Sequence, residues 1–268
     1  MYGYTALKII LIRELNMQLK DKVVVITGAA RGLGRAYAEA MAAQGASVFA
    51  CDVNSCEDTR GAVEAAGGRI DIAITDITRM ASCREMAEQA LAAFGRIDVL
   101  VNNAALYAGL KGARFEDLDE AQWDAVMNVN VKGVWQACKA VVGPMRAAGG
   151  GSIINISSLA AVYGLPYGCD YVASKAAVIG MTRTMARELG RDSIRVNAVA
   201  PSAVMTEGTE EFFGEKFEKA KSTIASGQVI ARNLETRDIT GTLIYLASDA
   251  SSFVTGQTHM VDGGSWFL

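Results

Sequence analysis

Histidine is almost missing from this sequence: His259 is the only one among 268 residues. Histidine-rich metal sites are therefore excluded, no metal is expected, and a Ser/His/Asp triad would depend on one imidazole near the C-terminus. A structural or subunit-contact role is expected for His259. Proline is nearly as scarce, with only Pro144, Pro166 and Pro201. No linker, internal repeat or low-complexity tract divides the chain, which reads as one domain. The five cysteines, Cys51, Cys56, Cys83, Cys138 and Cys169, form no CxxC pair and are odd in number. Neither a zinc cluster nor a disulfide framework is indicated, so reduced, mostly buried thiols are expected. Neither sign of charge dominates, with 26 basic and 29 acidic residues and a net charge of -3. Without a basic field, nucleic acid is not an expected partner. The apolar run from Ala6 to Ile12 is broken by Lys8 and closed by Arg13 and Glu14. It falls well short of the about 20 residues a membrane span needs, and it has neither a basic leader nor a small-residue cleavage site. Membrane association and export are not expected, which points to the cytoplasm. Met17 stands just before the first strand pattern, so residues 1–16 read as a dispensable extension and 17–268 as the domain.

What the chain does have is apolar content, 51% of its residues, enough for a large core. Seven short runs alternate with helical stretches: Val23 to Thr27, Ala46 to Asp52, Ile70 to Thr75, Ile97 to Asn102, Ser152 to Ser157, Ser193 to Ala200 and Gln257 to Val261. Near-continuous apolar strands such as VVVIT suit a sheet covered on both faces. The segments Leu33 to Gln44, Ala81 to Phe94, Ala121 to Ala147 and Tyr171 to Leu189 are rich in Ala, Leu, Met and Glu, and several end at glycine. The expected fold is α/β: a single doubly wound, Rossmann-type domain with a seven-stranded, mainly parallel sheet and helices on both faces.

The first strand runs into Thr27-Gly28-Ala29-Ala30-Arg31-Gly32-Leu33-Gly34 and then opens a helix. Glycines at a strand-to-helix turn let backbone N–H groups and the positive helix end approach a pyrophosphate. Such a turn can also be a plain connector. Asp52, 24 residues after Gly28 at the end of the second strand, favours the ligand reading. A carboxylate there accepts from both adenosine-ribose hydroxyls and repels a 2′-phosphate, so NAD is expected over NADP. Arg31 argues the other way, since its guanidinium could pair with that phosphate.

Tyr171-Val172-Ala173-Ser174-Lys175 begins a helical stretch, and residues four apart share a face, so phenol and ammonium point the same way. A free phenol has a pKa near about 10, and each unit of lowering requires about 1.4 kcal/mol. Lys175 and an oxidised nicotinamide are the two cations expected to supply it. Alone, YxxxK occurs by chance on many solvated helices. Here Ser157 and Ser158 close a strand, and 13 positions separate Ser158 from Tyr171.

With these motifs in order, the sequence from about Leu19 to the C-terminus resembles the short-chain dehydrogenase/reductase family. The resemblance implies a catalytic tetrad of Asn130, Ser158, Tyr171 and Lys175. It implies cofactor contacts from Gly28, Arg31, Gly32, Leu33, Gly34, Asp52, Asp76, Ile77, Asn103, Tyr171, Lys175, Val204 and Thr206. Asp76 would hold the adenine amino group, and Asn102-Asn103-Ala104-Ala105 resembles the family's NNAG with alanine last. Val204 and Thr206 would bind the nicotinamide carboxamide. Ser202 stands where glycine is commoner, a Pro-Ser variant that resembles secondary-alcohol dehydrogenases of the 1-phenylethanol dehydrogenase type.

The implied activity is NAD-dependent oxidation of a secondary alcohol or reduction of its ketone, with 3-oxoacyl thioester (acyl carrier protein) reduction as the alternative and a nucleotide-sensing scaffold as the non-enzymatic one. Asn130 would seat a water passing protons from Lys175. Tyr107, Tyr163, Leu165 and a lid at about 205–228 would wall the substrate. Phe212, Phe213 and Phe217 would form the lid's apolar stripe, or else dock an ordinary surface helix. Its glutamates argue against highly anionic substrates. The apolar C-terminal segment implies a homotetramer interface, or packing within its own subunit.

Overall fold

The computed structural model describes residues 17–267, so the extension expected at 1–16 lies outside the described residues. Seven strands form one sheet: β1 (Val23–Thr27), β2 (Ser47–Asp52), β3 (Arg69–Ile74), β4 (Val99–Asn102), β5 (Gly151–Ile156), β6 (Ile194–Pro201) and β7 (Thr258–Val261). Their order is β3-β2-β1-β4-β5-β6-β7, and every neighbouring pair is parallel. All seven expected strands are present within about two residues. The chain builds β2 and β3 on one side of β1, then crosses back to place β4 on the other. That reversal opens a crevice at the carboxyl ends of β1 and β4, where doubly wound sheets bind ligands.

Alternation along the strands sends side chains to both faces. On one face Val24, Ile26, Val48 and Val101 pack with Tyr37 and Met41 of helix α1 (Gly32–Ala43). On the other, Val25, Phe49, Leu100 and Ile153 meet Met86 of α3 (Met80–Phe94). Burying each large aliphatic side chain contributes about 1.5–3 kcal/mol. The two cores hold the strand ends, and therefore the crevice, in place.

Helix α2 (Glu57–Ala65) lies between β2 and β3, a helix the sequence reading did not single out. The expected continuous helix from Ala121 to Ala147 is corrected by the structure. It divides into α4 (Glu120–Met127), a π-helical turn (Asn128–Gly133) and α5 (Val134–Ala147). The physical cause is anchoring within the turn. Asn130 is fully buried, and its side chain both accepts from the Leu106 N–H (2.7 Å) and donates to the Leu106 carbonyl (3.1 Å). A Cβ at Gly133 would stand 2.7 Å from Ile77 Cδ1, so a side chain there would require Ile77 to move aside.

After β5 come the single turn α6 (Ala160–Tyr163) and the long α7 (Cys169–Leu189). Beyond β6 the chain forms α8 (Glu207–Phe213) and α9 (Phe217–Ser226), then α10 (Thr236–Ala247), which completes the first core with Ile239 and Leu243. Gly214, with φ +50, breaks α8 from α9 and turns the second helix relative to the first. Among the described residues, no helix is long and apolar enough to cross a membrane, and no cluster of His, Cys, Asp or Glu could hold a metal ion. All five cysteines are free; four are buried and Cys169 is exposed. Burial pushes the Cys83 thiol up to about 11 and the Cys56 and Cys138 thiols up to about 12.

Candidate active site

The glycine turn after β1 sits at the crevice, and its glycines do different work. A Cβ at Gly28 (φ +67) would lie 2.6 Å from Ala104 Cα, and one at Gly34 would run into the Gly28 carbonyl. These two let β4's loop and α1 close on the turn. Gly32 (φ +57) has no atom within 4 Å of its would-be Cβ, so it opens on the cleft. Arg31, the residue before α1, gives that helix no side-chain cap. The first N–H groups of α1 are left to the cleft, and the partial positive charge there favours an anion. Leu33 lines the same cleft.

Asp52 lines the cleft at the end of β2. Its Oδ2 accepts from the Ala30 N–H (3.2 Å) and its Oδ1 from the Asn54 N–H (3.0 Å), so turn and carboxylate are placed together. Asp76 and Ile77, after β3, also line it; Asp76 Oδ1 accepts from the Thr78 N–H and hydroxyl at 2.9 and 2.6 Å. Asn103 donates to the carbonyls of Thr27 (3.0 Å) and Gly28 (2.9 Å), stitching β4 to the turn. Arg31 is engaged by α8: its guanidinium donates to both carboxylate oxygens of Glu211, at 2.5 and 3.1 Å.

Across the crevice, Ser158 follows β5 while Tyr171 and Lys175 project from the first turns of α7. Tyr171 and Lys175 are both buried. Burial, helped by the neighbouring Tyr107, pushes the Tyr171 phenol above the ordinary tyrosine value, and the Ser158 hydroxyl nearby offsets only part of that rise. Lys175 Nζ donates to the Ile156 carbonyl at 2.9 Å and lies 5.8 Å from the centre of the Tyr171 ring. Burial brings its pKa down to about 8. The expectation named two cations, Lys175 and an oxidised nicotinamide, and in the protein alone only the first is present. Without a second cation nearby, desolvation outweighs the lysine.

Asn130 stands behind the cleft. Besides bonding Leu106, its amide donates to Ser174 Oγ at 3.1 Å, and Ser174 Oγ donates to the Tyr171 carbonyl at 2.7 Å. Its side chain therefore positions α7 and the Leu106 loop.

Tyr107, Tyr163 and Leu165 wall the cleft as expected. The Tyr107 ring lies 5.3 Å from Tyr171 and stacks on Phe212 of α8 at 4.7 Å. Val204 and Thr206 line the cleft where the chain leaves β6, and Thr209 donates to the Val204 carbonyl at 2.6 Å. Ser202 takes no left-handed φ, and its N–H donates to the Val261 carbonyl at 3.0 Å.

The expected stripe of Phe212, Phe213 and Phe217 is corrected. Phe212 and Phe213 face the cleft, while Phe217 lines a smaller groove with Met205, Glu207 and Glu210. The Gly214 break is the reason. Sequence reading missed Lys216 and Lys219, which face the cleft with Ala220, Thr223 and Ile224. The helical spacing 216, 219, 220, 223, 224 is the signal that could have found them. His259 lies on β7 with Nε2 unpartnered, away from the residues that line the cleft.

A wholly parallel sheet with a glycine turn, a strand-end carboxylate and a Ser-Tyr-Lys group in one cleft of about 980 Å³ defines a nucleotide-binding α/β oxidoreductase scaffold. Comparison with known proteins sharpens this. Residues 28–265 match the family model described as Enoyl-(Acyl carrier protein) reductase. The chain is 42% identical over 250 residues to the 3-oxoacyl acyl-carrier-protein reductase FabG of Thermotoga maritima, covering 92% of this chain and 99% of that one. It is 37% identical over 251 residues to the 3-alpha-(or 20-beta)-hydroxysteroid dehydrogenase of Mycobacterium bovis, covering 94% and 92%. The crystal structure of levodione reductase superposes with a TM-score of 0.86 at 32% identity, over 91% of this chain and 97% of that one. The chain belongs to the short-chain dehydrogenase/reductase family of oxidoreductases.

Proposed function

We propose that the protein transfers a hydride between NAD(H) and a secondary alcohol or its ketone, with Tyr171 as proton carrier. The observation that carries this reading is the hydroxyl pair of Ser158 and Tyr171, set beside Lys175 in the cleft that the glycine turn opens. The residues fit a dinucleotide. Gly32 leaves open space where any side chain would intrude, and the uncapped start of α1 suits a pyrophosphate. Gly28, Arg31, Gly32, Leu33, Gly34 and Asn103 would frame that end, with Asp52 at the ribose, Asp76 and Ile77 at the adenine, and Val204 and Thr206 at the nicotinamide. When bound, NAD supplies the hydride acceptor and one fixed positive charge.

Ser158 and Tyr171 would hold the substrate oxygen between two hydroxyls. Tyr171 would take the alcohol proton during oxidation and return it during reduction, while Lys175 holds the nicotinamide ribose and favours phenolate. Asn130 keeps α7 and the Leu106 loop in register with them. The segment 205–228 acts as a lid through the Phe212–Tyr107 stack. Asp52 favours NAD over NADP, and the pairing of Arg31 with Glu211 takes away the guanidinium that could have received a 2′-phosphate. The exposed Phe253 and Phe267 beside edge strand β7 support assembly as a homotetramer.

A second reading, 3-oxoacyl thioester reduction, is favoured by the 42% identity to the Thermotoga maritima protein. Initial rates with NADH and NADPH over a panel of ketones, secondary alcohols and acetoacetyl thioesters test both. Turnover with NADH on simple ketones is expected. Turnover confined to NADPH and thioesters would replace the first reading with the second.

A further inference from the structure

The segment 207–226 carries many glutamates, yet none of them lines the cleft. Glu211 is bonded to Arg31, Glu218 lies 3.9 Å from Lys221, and Glu207 and Glu210 border the smaller groove. The charged side chains that this segment does present to the cleft are Lys216 and Lys219. Among the described residues, neither has a carboxylate within ion-pair distance. They continue the wall begun by Phe213 and by Phe212, which stacks on Tyr107, itself 5.3 Å from the Tyr171 ring. The cleft's carboxylates, Asp52 and Asp76, belong to the ends of β2 and β3 instead. The segment thus sorts its charge: its glutamates lie off the cleft wall, while Lys216 and Lys219, both solvent-exposed, stand at the cleft rim beside an apolar wall.

We propose that Lys216 and Lys219 form an anion-recognising subsite, so that the substrate is a secondary alcohol or ketone bearing an anionic group beyond an apolar body. The inference rests on the hydride-transfer reading above and names the substrate class for it. Two cations at a half-open rim steer an anion in and fix its orientation, while the aromatic and aliphatic wall takes the body between anion and carbinol. The expectation drawn from composition, that this acidic segment disfavours anionic substrates, is reversed, because only the face toward the substrate matters. The anion has two chemical sources, a carboxylate on a small keto acid or the phosphates of a carrier thioester.

The test compares kcat/KM with NADH for acetophenone against 4-acetylbenzoate, and for acetoacetyl-pantetheine against acetoacetyl-CoA. In at least one pair the anionic member is expected to lead on the order of tenfold, as two partly solvated ion pairs would supply. The pair that shows the preference identifies the source. That ratio should collapse toward one in the Lys216→Gln/Lys219→Gln double variant and shrink with added salt. It should persist in Lys221→Gln, whose lysine is absent from the cleft wall, and the NADH dissociation constant should be the same in wild type and double variant. Turnover of neutral substrates with both ratios near one, or a ratio that survives the double substitution, overturns this inference alone. Weakened NADH binding in the double variant would give the two lysines to the cofactor instead. Absence of turnover on all four substrates overturns this inference together with the hydride-transfer reading.

Discussion

Lys175 Nζ donates to the Ile156 carbonyl at 2.9 Å while standing 5.8 Å from the centre of the Tyr171 ring. The ammonium is thus held by the sheet and points its field at the phenol from a fixed place. Both groups are buried, and burial moves each toward its neutral form: the phenol up, the amine down to about 8. The site in the protein alone is poised against the ion pair that the chemistry needs.

The Tyr171 phenol should therefore titrate above the ordinary value of about 10 in the free protein and at least about two units lower with saturating NAD. Ultraviolet difference titration of wild type against Tyr171→Phe reads this directly. The same variant is expected to lose about 10²–10⁴ of kcat, the usual contribution of a general acid or base, while its NADH affinity stays within a few fold. A rate within tenfold of wild type would remove Tyr171 from its role.

Lys175→Met should abolish turnover and stabilise the fold at neutral pH by about 1–2 kcal/mol, since the charged amine is disfavoured inside. The sign follows from the depressed pKa. Below about pH 8 both folded and unfolded chains carry the proton and the full penalty applies. Between there and the unfolded value of about 10.4 the unfolded chain binds more protons, so wild-type stability rises with pH. The advantage of the variant should shrink over that window in denaturant titrations. A constant or growing advantage would mean that the amine is not desolvated as described.

Arg31 and Glu211 join the glycine turn to α8 through two hydrogen bonds. Glu211→Gln should release the guanidinium and raise kcat/KM for NADPH relative to NADH by a few fold, with little effect on thermal stability, because an exposed pair contributes about 0–1 kcal/mol. Asp52→Ser should move the same ratio further, by at least about tenfold, if the carboxylate stands beside the 2′ position as proposed, since it removes a full charge there. An unchanged ratio in Asp52→Ser would exclude that carboxylate as the determinant of cofactor choice.

Gly32→Ala and Gly34→Ala should differ although both lie in one turn. The first meets no atom but imposes the left-handed backbone on alanine, at about 1 kcal/mol or a melting shift of about 2–4 °C. The second drives a methyl into the Gly28 carbonyl and within 2.7 Å of the Asn103 amide. Its melting temperature should fall further. Equal shifts in differential scanning fluorimetry would contradict the close approach of α1 to the turn.

The strands and the glycine turn were legible because they rest on short-range chemistry. A β-branched run between breakers reads as a strand, and a left-handed φ calls for glycine. The helix Ala121–Ala147 was misread because its interruption comes from Asn130 reaching Leu106, 24 residues away, across the fold. Phe217 was misread because the break at Gly214 alters which residues share a face.

By itself, then, the sequence determined the sheet, the turn, the spacing that sets Tyr171 over Lys175 on one helix face, and the order of motifs that marks the family. Tertiary structure alone decided which groups end up dry, which glutamates meet a cation, and which lysines look into the cleft. Those are questions of desolvation and orientation. They depend on neighbours brought together by the packing of distant segments, which local periodicity does not encode.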